Sequence, residues 1–187
     1  MRWNDAVIGI ALLSAGCSQD QGDTVFGFGR HATAEEVAAW NIDVMPDGTG
    51  LPDGMGTVAD GQRLYQARCA ACHGATGIEG PNDRLVGRDP REGFPFGQDP
   101  SFSSMRTIGN FWPYATTLYD YINRAMPFDQ PGSLEPTEVY SLVAFLLHAN
   151  EIIAEDAEMN AATLAAVVMP ARDRFVRDNR RGGPEIR

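Results

Sequence analysis

The sequence predicts a mainly helical protein of one domain, with an N-terminal arm, a C-terminal extension and long irregular loops between its helices. Three observations carry this. Apolar residues recur at helical spacing in separate stretches, helix-start signatures stand at the head of several of them, and no stretch alternates as a β-strand does. The length of 187 residues suits one domain with added ends. Gly and Pro contribute 20 and 12 residues, which makes the chain loop-rich but leaves it short of a low-complexity composition.

Taken from the N-terminus, Met1 and Arg2 give a short positive start, and Ala6 to Leu13 is an uncharged apolar run that closes on Ser14-Ala15-Gly16-Cys17. A bilayer span needs about 20 apolar residues, so the run is too short to cross one and suits a secretory signal over residues 1–16. Small residues ending at a cysteine resemble a bacterial lipoprotein cleavage site. That reading makes Cys17 a lipidated first residue and the mature chain periplasmic and membrane-anchored. An ordinary cleaved signal, or a buried N-terminal helix with an incidental cysteine, are the alternatives.

Residues 17–56 read as a linker and an arm packed on the core. Thr33-Ala34-Glu35-Glu36 is a capping-box pattern that opens a short helix, with Trp40 expected as its apolar anchor. Thr57-Val58-Ala59-Asp60 opens a second helix in the same way, and this one runs into Cys69 and begins the main domain, 57–150. Residues 74–113 are rich in Gly, Pro, Asp and Ser without any sustained period. So long an irregular stretch inside a compact domain is reasonable if a large prosthetic group supplies the core that it covers. A third helix is expected over Thr117 to Ala125, with Leu118, Tyr121 and Ile122 at helical spacing. A Met126-Pro127 turn follows, and then the strongest helix, opened by Glu135-Pro136 and apolar through Leu147. The extension 151–187 holds a weaker helical stretch at 161–168 and an Arg- and Gly-rich tail.

The formal charge of −10 argues against nucleic acid, whose phosphates demand clustered basic residues, and favours a partner with a basic docking face. Three cysteines exclude a simple disulfide framework. Cys69-Ala70-Ala71-Cys72-His73 fits c-type haem attachment, in which two thiols bond the two vinyl groups of one haem and the next imidazole reaches the iron. A redox dithiol or half of a zinc site are the other uses of such a pair. The first would want a βαβ context, and the second would want two more ligands, for which only His31 and His148 remain among the histidines.

With this motif the chain resembles the class I cytochromes c, which place a few helices around one covalently bound haem c. Gly77-Ile78-Glu79-Gly80-Pro81-Asn82 resembles the loop in which a proline carbonyl accepts from Nδ1 of the ligand histidine, so Pro81 is implied to orient His73. Gly61 and Tyr65 resemble the small/aromatic pair by which the first helix of that fold crosses the last, with partners expected around Tyr140, Val143 and Phe145. The class places its sixth iron ligand between the motif and the last helix, where Met105 and Met126 lie. Met126, before Pro127, is the ligand that the resemblance implies; Met105, a histidine or an open position are the alternatives. His73 and Met126 would then be the metal ligands, and no catalytic residue is implied.

Three further segments are similar to the cytochrome subunit of the Sox sulfur dehydrogenase and its sulfite dehydrogenase relatives. They are Thr33 to Val44 continuing through Pro52, Trp112 to Ile122 running into Arg124-Ala125-Met126-Pro127-Phe128, and Met169 to Phe175. The resemblance implies an electron-transfer subunit that is not catalytic alone. It would accept electrons from a molybdenum-containing dehydrogenase subunit and pass them to a downstream cytochrome or terminal oxidase. It also places Trp112 and Tyr114 beside the haem. An independent shuttle to a terminal oxidase, tethered or free, is the competing expectation.

Overall fold

A computed structural model describes residues 28–94 and 106–176. The signal segment 1–16, Cys17, Met105 and the tail beyond 176 lie outside the described residues. The elements are α1 (Ala34–Trp40), β1 (Met55–Thr57), α2 (Val58–Arg68), α3 (Ala70–His73), α4 (Ala115–Ala125), α5 (Pro136–Ala149), β2 (Glu158–Asn160), α6 (Ala161–Ala165) and a 3₁₀ turn at Arg172–Arg174.

The capping residues set the helix starts as the sequence indicated. Thr33 accepts from the Glu36 N–H while the Glu36 carboxylate accepts from Thr33 N–H, and Thr57 accepts from the Asp60 N–H. At α5 the Glu138 carboxylate accepts from the Glu135 N–H at 2.8 Å, so the first turn is tied back without a Ser or Thr cap. This helix is apolar on nearly every side. Val139, Tyr140, Leu142, Val143, Ala144, Leu146 and Leu147 are all buried, which makes α5 the centre of the domain. On it α2 packs closely, Gly61 against the Ser141 backbone and Tyr65 against Phe145 with ring centroids 5.0 Å apart. Ser141, rather than Tyr140 or Val143, is thus the closest partner of Gly61.

The arm and the extension meet on the same helix. β1 and β2 form an antiparallel pair in the register Met55↔Asn160, Gly56↔Met159, Thr57↔Glu158. Three-residue strands are too short to show an alternating pattern, so residue types do not mark them.

Trp40 is a correction. It is 86 % exposed, and no residue of α1 is buried, so it does not anchor the arm. Attachment begins further along the chain. The Val44 N–H donates to Asp120 on α4 at 3.0 Å, Asp43 pairs with Arg124 at 2.9 Å, and Tyr140 donates to the Pro52 carbonyl at 2.9 Å. Backbone groups and short acidic side chains make these ties, which apolar patterning does not reveal. Trp40→Ala is therefore expected to leave stability within about 0.5 kcal/mol of the parent, as for other exposed positions, in a denaturant titration; a loss of several kcal/mol would restore Trp40 as an anchor.

The Asp120–Arg124 pair has a pH consequence. Partial burial pushes the Asp120 carboxyl upward, but the Arg124 guanidinium and the Val44 N–H outweigh it and hold the group below its ordinary value. A carboxyl depressed in the folded state adds stability above the unfolded-state value, and that stability disappears as pH falls through the folded-state value. Asp120→Asn is expected to cost about 1–2 kcal/mol at pH 7, since charge-assisted bonds are lost. The difference should shrink below about pH 4, where a free aspartate protonates. Unfolding curves at pH 7 and pH 3 check this, and a constant difference would contradict it.

Candidate haem attachment site

The site begins where α2 ends. Cys69 caps that helix, its N–H donating to the Tyr65 carbonyl at 2.8 Å, and its own carbonyl accepts from Cys72 and His73 at 3.1 and 3.0 Å. The two thiols and the imidazole therefore share one turn. Cys69 is half-buried against the core and Cys72 is exposed. Burial pushes the Cys69 thiol up to about 11, the opposite of what a reactive dithiol needs. Among the described residues no three His, Cys, Asp or Glu side chains are grouped to hold a metal ion, so the zinc alternative lacks its further ligands.

His73 is held by the loop that follows. Its Nδ1 lies 2.8 Å from the Asp83 carbonyl oxygen. A carbonyl can only accept, so Nδ1 carries the proton and the Nε2 lone pair is left for a metal. This corrects the expectation for Pro81, because the partner is the carbonyl of Asp83. The path of the loop is the reason. The Asn82 N–H is already tied to the Cys72 carbonyl at 3.0 Å, and the carbonyl that reaches the ring comes after that tie. Gly80 permits the close approach, since a Cβ there would sit 2.3 Å from the Cys72 carbonyl oxygen. The buried Tyr65 hydroxyl fastens the loop start by donating to the Gly74 carbonyl at 2.9 Å. The Glu79 carboxylate accepts from the Thr76 hydroxyl and from the Thr76 and Ile78 N–H groups, which hold it down to about 2.

The remaining candidates lie on the other limb of the loop and on α4. Trp112 and Tyr114 are half-buried, and Tyr114 stands immediately before the first turn of α4. Met126 ends that helix, its N–H donating to the Ile122 carbonyl at 3.1 Å. Leu64, Cys69, Leu85, Trp112, Met126 and Phe145 pack against one core yet stay partly exposed. Two thiols on one turn, an imidazole in the Nε2-free tautomer and a half-covered apolar surround fit a covalently bound haem.

Two features of the site were missed. Residue type does not mark Asp83, which contributes only its backbone carbonyl. Helical spacing puts Tyr121 with Leu118 and Ile122, but the buried apolar stripe of α4 is Ala115, Leu118, Tyr119 and Ile122. Tyr121 falls off that stripe, is 45 % exposed and stands edge-on to Trp112 at 5.7 Å. The spacing of Tyr119 from Ala115 and Ile122 was the signal available to separate the two tyrosines.

Comparison with known proteins bears on the same residues. Residues 56–146 match the family model of cytochrome c oxidase, cbb3-type, subunit III. A thiosulfate dehydrogenase of Psychrobacter arcticus is 29 % identical over 121 residues, which cover 59 % of this chain. The chain spans only 34 % of the length of that relative. The crystal structure of the sulfane dehydrogenase SoxCD from Paracoccus pantotrophus contains a chain 37 % identical to this one, with a TM-score of 0.71, and the match covers 82 % of this chain and 73 % of that one. A likeness of that extent, joined to a mainly helical fold that carries the Cys69–His73 turn, shows that the chain belongs to the Sox-type c-type cytochromes, electron carriers with a covalently bound haem c.

Proposed function

We propose that Cys69 and Cys72 form the two thioether links to the haem, that His73 Nε2 and the Met126 thioether ligate its iron, and that the carrier accepts electrons from a molybdenum-containing sulfur- or sulfite-oxidising dehydrogenase subunit. The observation that carries the reading is the Nδ1–H of His73 held on the Asp83 carbonyl at 2.8 Å, beside two thiols on the same turn. When bound, the haem supplies a one-electron Fe(III)/Fe(II) couple. The chain holds the imidazole in one tautomer, which strengthens it as a donor. It offers a soft, neutral thioether that favours Fe(II), and it surrounds the site with apolar residues that limit water. Trp112 and Tyr114 belong to that surround.

The dehydrogenase partner is supported by the likeness to a chain of SoxCD. Export to the periplasm and a lipid on Cys17 complete the reading; among the described residues no helix is long and apolar enough to cross a membrane. The test is stopped-flow mixing of the oxidised holoprotein with a purified molybdenum-containing sulfite or sulfane dehydrogenase and its substrate. Rapid one-electron reduction that slows as salt rises is expected, given the net charge of −10. A second reading, a shuttle serving a terminal oxidase without a dedicated dehydrogenase, draws on the cbb3-type match over residues 56–146. Reduction by quinol-chain donors as fast as by the dehydrogenase would favour it.

A further inference from the structure

We infer that the C-terminal segment 169–175 is a clasp that positions the Trp112–Tyr114 wall of the haem site and thereby sets its reduction potential, with Arg174 as the principal positioning residue. The inference rests on the proposal that Trp112 and Tyr114 stand beside the haem.

The segment is anchored in the core by Met169 and Ala171, 2 % and 0 % exposed. From there its side chains reach both limbs of the long loop. Nη1 of Arg174 donates to the Asn110 carbonyl at 2.9 Å, and Nη2 of the same guanidinium donates to the Arg91 carbonyl. One rigid fork thus bridges two chain segments that are distant in sequence. The Phe175 ring lies between the limbs as well, 5.0 Å from the Phe94 ring and 5.6 Å from the Phe111 ring. The Arg172 guanidinium sits 5.4 Å over the Tyr114 ring.

Asn110 is the point where these forces meet the site. Its Nδ2 donates to the Asp89 carbonyl at 2.6 Å and its Oδ1 accepts from the Thr107 N–H at 2.8 Å, while its carbonyl takes Arg174. Phe111 and Trp112 follow directly. The clasp therefore acts on the backbone that delivers Trp112 and Tyr114, and it lies beyond residues 56–146, the part matched by the cytochrome family model.

The chemical consequence is directional. Opening the clasp admits water beside Trp112 and Tyr114, and a more polar surround favours the more highly charged Fe(III) state. Loss of the Arg172 cation favours Fe(III) too. Each change lowers the potential.

The experiment is redox titration of the holoprotein as Arg174→Ala, Arg174→Lys and Arg172→Leu, with Arg63→Ala as control. Arg63 pairs with Asp60 on α2, so its loss removes an equal charge away from the clasp. Arg174→Ala and Arg172→Leu are each expected to shift the Fe(III)/Fe(II) equilibrium about three- to tenfold toward Fe(III), a tenfold shift being 59 mV for one electron. Arg174→Lys should recover part of the shift, and Arg63→Ala should show little. Amide hydrogen exchange over residues 110–114 should rise in Arg174→Ala. Potentials of Arg174→Ala and Arg172→Leu equal to that of Arg63→Ala would overturn the inference. If Arg174→Ala does not fold, Arg172→Leu alone decides. A purified chain without covalent haem would instead sink the functional proposal, so the two failures are distinguishable.

Discussion

Gly61→Ala is expected to destabilise the protein by about 3 kcal/mol, at the upper end of overpacking costs. A Cβ at this position would stand 1.8 Å from the Ser141 carbonyl oxygen, 2.6 Å from its carbon and 2.8 Å from the Phe145 Cβ. Two of the three atoms are backbone, so no side-chain rotation relieves the clash, and α2 must move away from α5. The sign makes this a sharp test. Within an isolated helix, Ala in place of Gly stabilises by about 1 kcal/mol, so a purely local account predicts a gain. Denaturant unfolding decides, and a midpoint equal to or above that of the parent would show that the helices can part at little cost. The movement has a second effect. Cys69 is the residue that ends α2, and displacing the helix displaces the turn that carries both thiols and His73. The yield of protein with covalently attached haem is expected to fall along with stability.

How much of this was legible in the sequence depended on how local the information was. The capping box at Thr33, the helix start at Thr57, the Cys69–His73 spacing and the apolar density of α5 are short-range features legible from residue types alone, although at Thr57 only the forward cap forms, because the Asp60 carboxylate takes the Thr57 hydroxyl. Trp40 was not. A tryptophan at the end of a capped helix carries the same local pattern whether it is covered or 86 % exposed, and what covers it is a matter of tertiary path. The Nδ1 partner of His73 failed for a related reason. Any backbone carbonyl can accept, so residue type at Pro81 or Asp83 does not distinguish them; the tie from Asn82 to Cys72 does. Asn150 shows the limit most clearly. It follows the last residue of α5, is 1 % exposed, accepts from the Gly87 N–H at 2.9 Å and donates to the Leu146 and Leu85 carbonyls at 2.8 and 3.2 Å. One amide ends the helix and pins the loop opposite the haem motif, and nothing near it in sequence signals the second task.

Met126→Ala carries the other large expectation, since it removes the proposed sixth ligand. The parent holoprotein should show the Met-to-iron charge-transfer band in its oxidised form. Met126→Ala should lose that band, bind small anions such as azide, and fall in potential by on the order of 0.1–0.2 V, a modest part of the ~0.8 V that axial ligands span. Met105→Ala should keep the band and the potential. The reasoning starts from the backbone. Met126 is not on a free loop, because its N–H closes the last turn of α4 on Ile122, and Arg124, two residues earlier, is tied to Asp120 and Asp43. The thioether is thus presented from a fixed point, half-buried on the same core as Cys69 and Trp112. A methionine that merely filled a core gap would cost stability on truncation, but it would leave the spectrum alone. An unchanged low-spin spectrum in Met126→Ala therefore rejects the ligand assignment, whatever happens to stability. If the band is lost in Met126→Ala and Met126→His restores a low-spin spectrum at a lower potential, the position itself, rather than the general packing of the α4 end, faces the iron. The harder imidazole favours Fe(II) less than the thioether does, so the direction of that shift follows from the ligand chemistry.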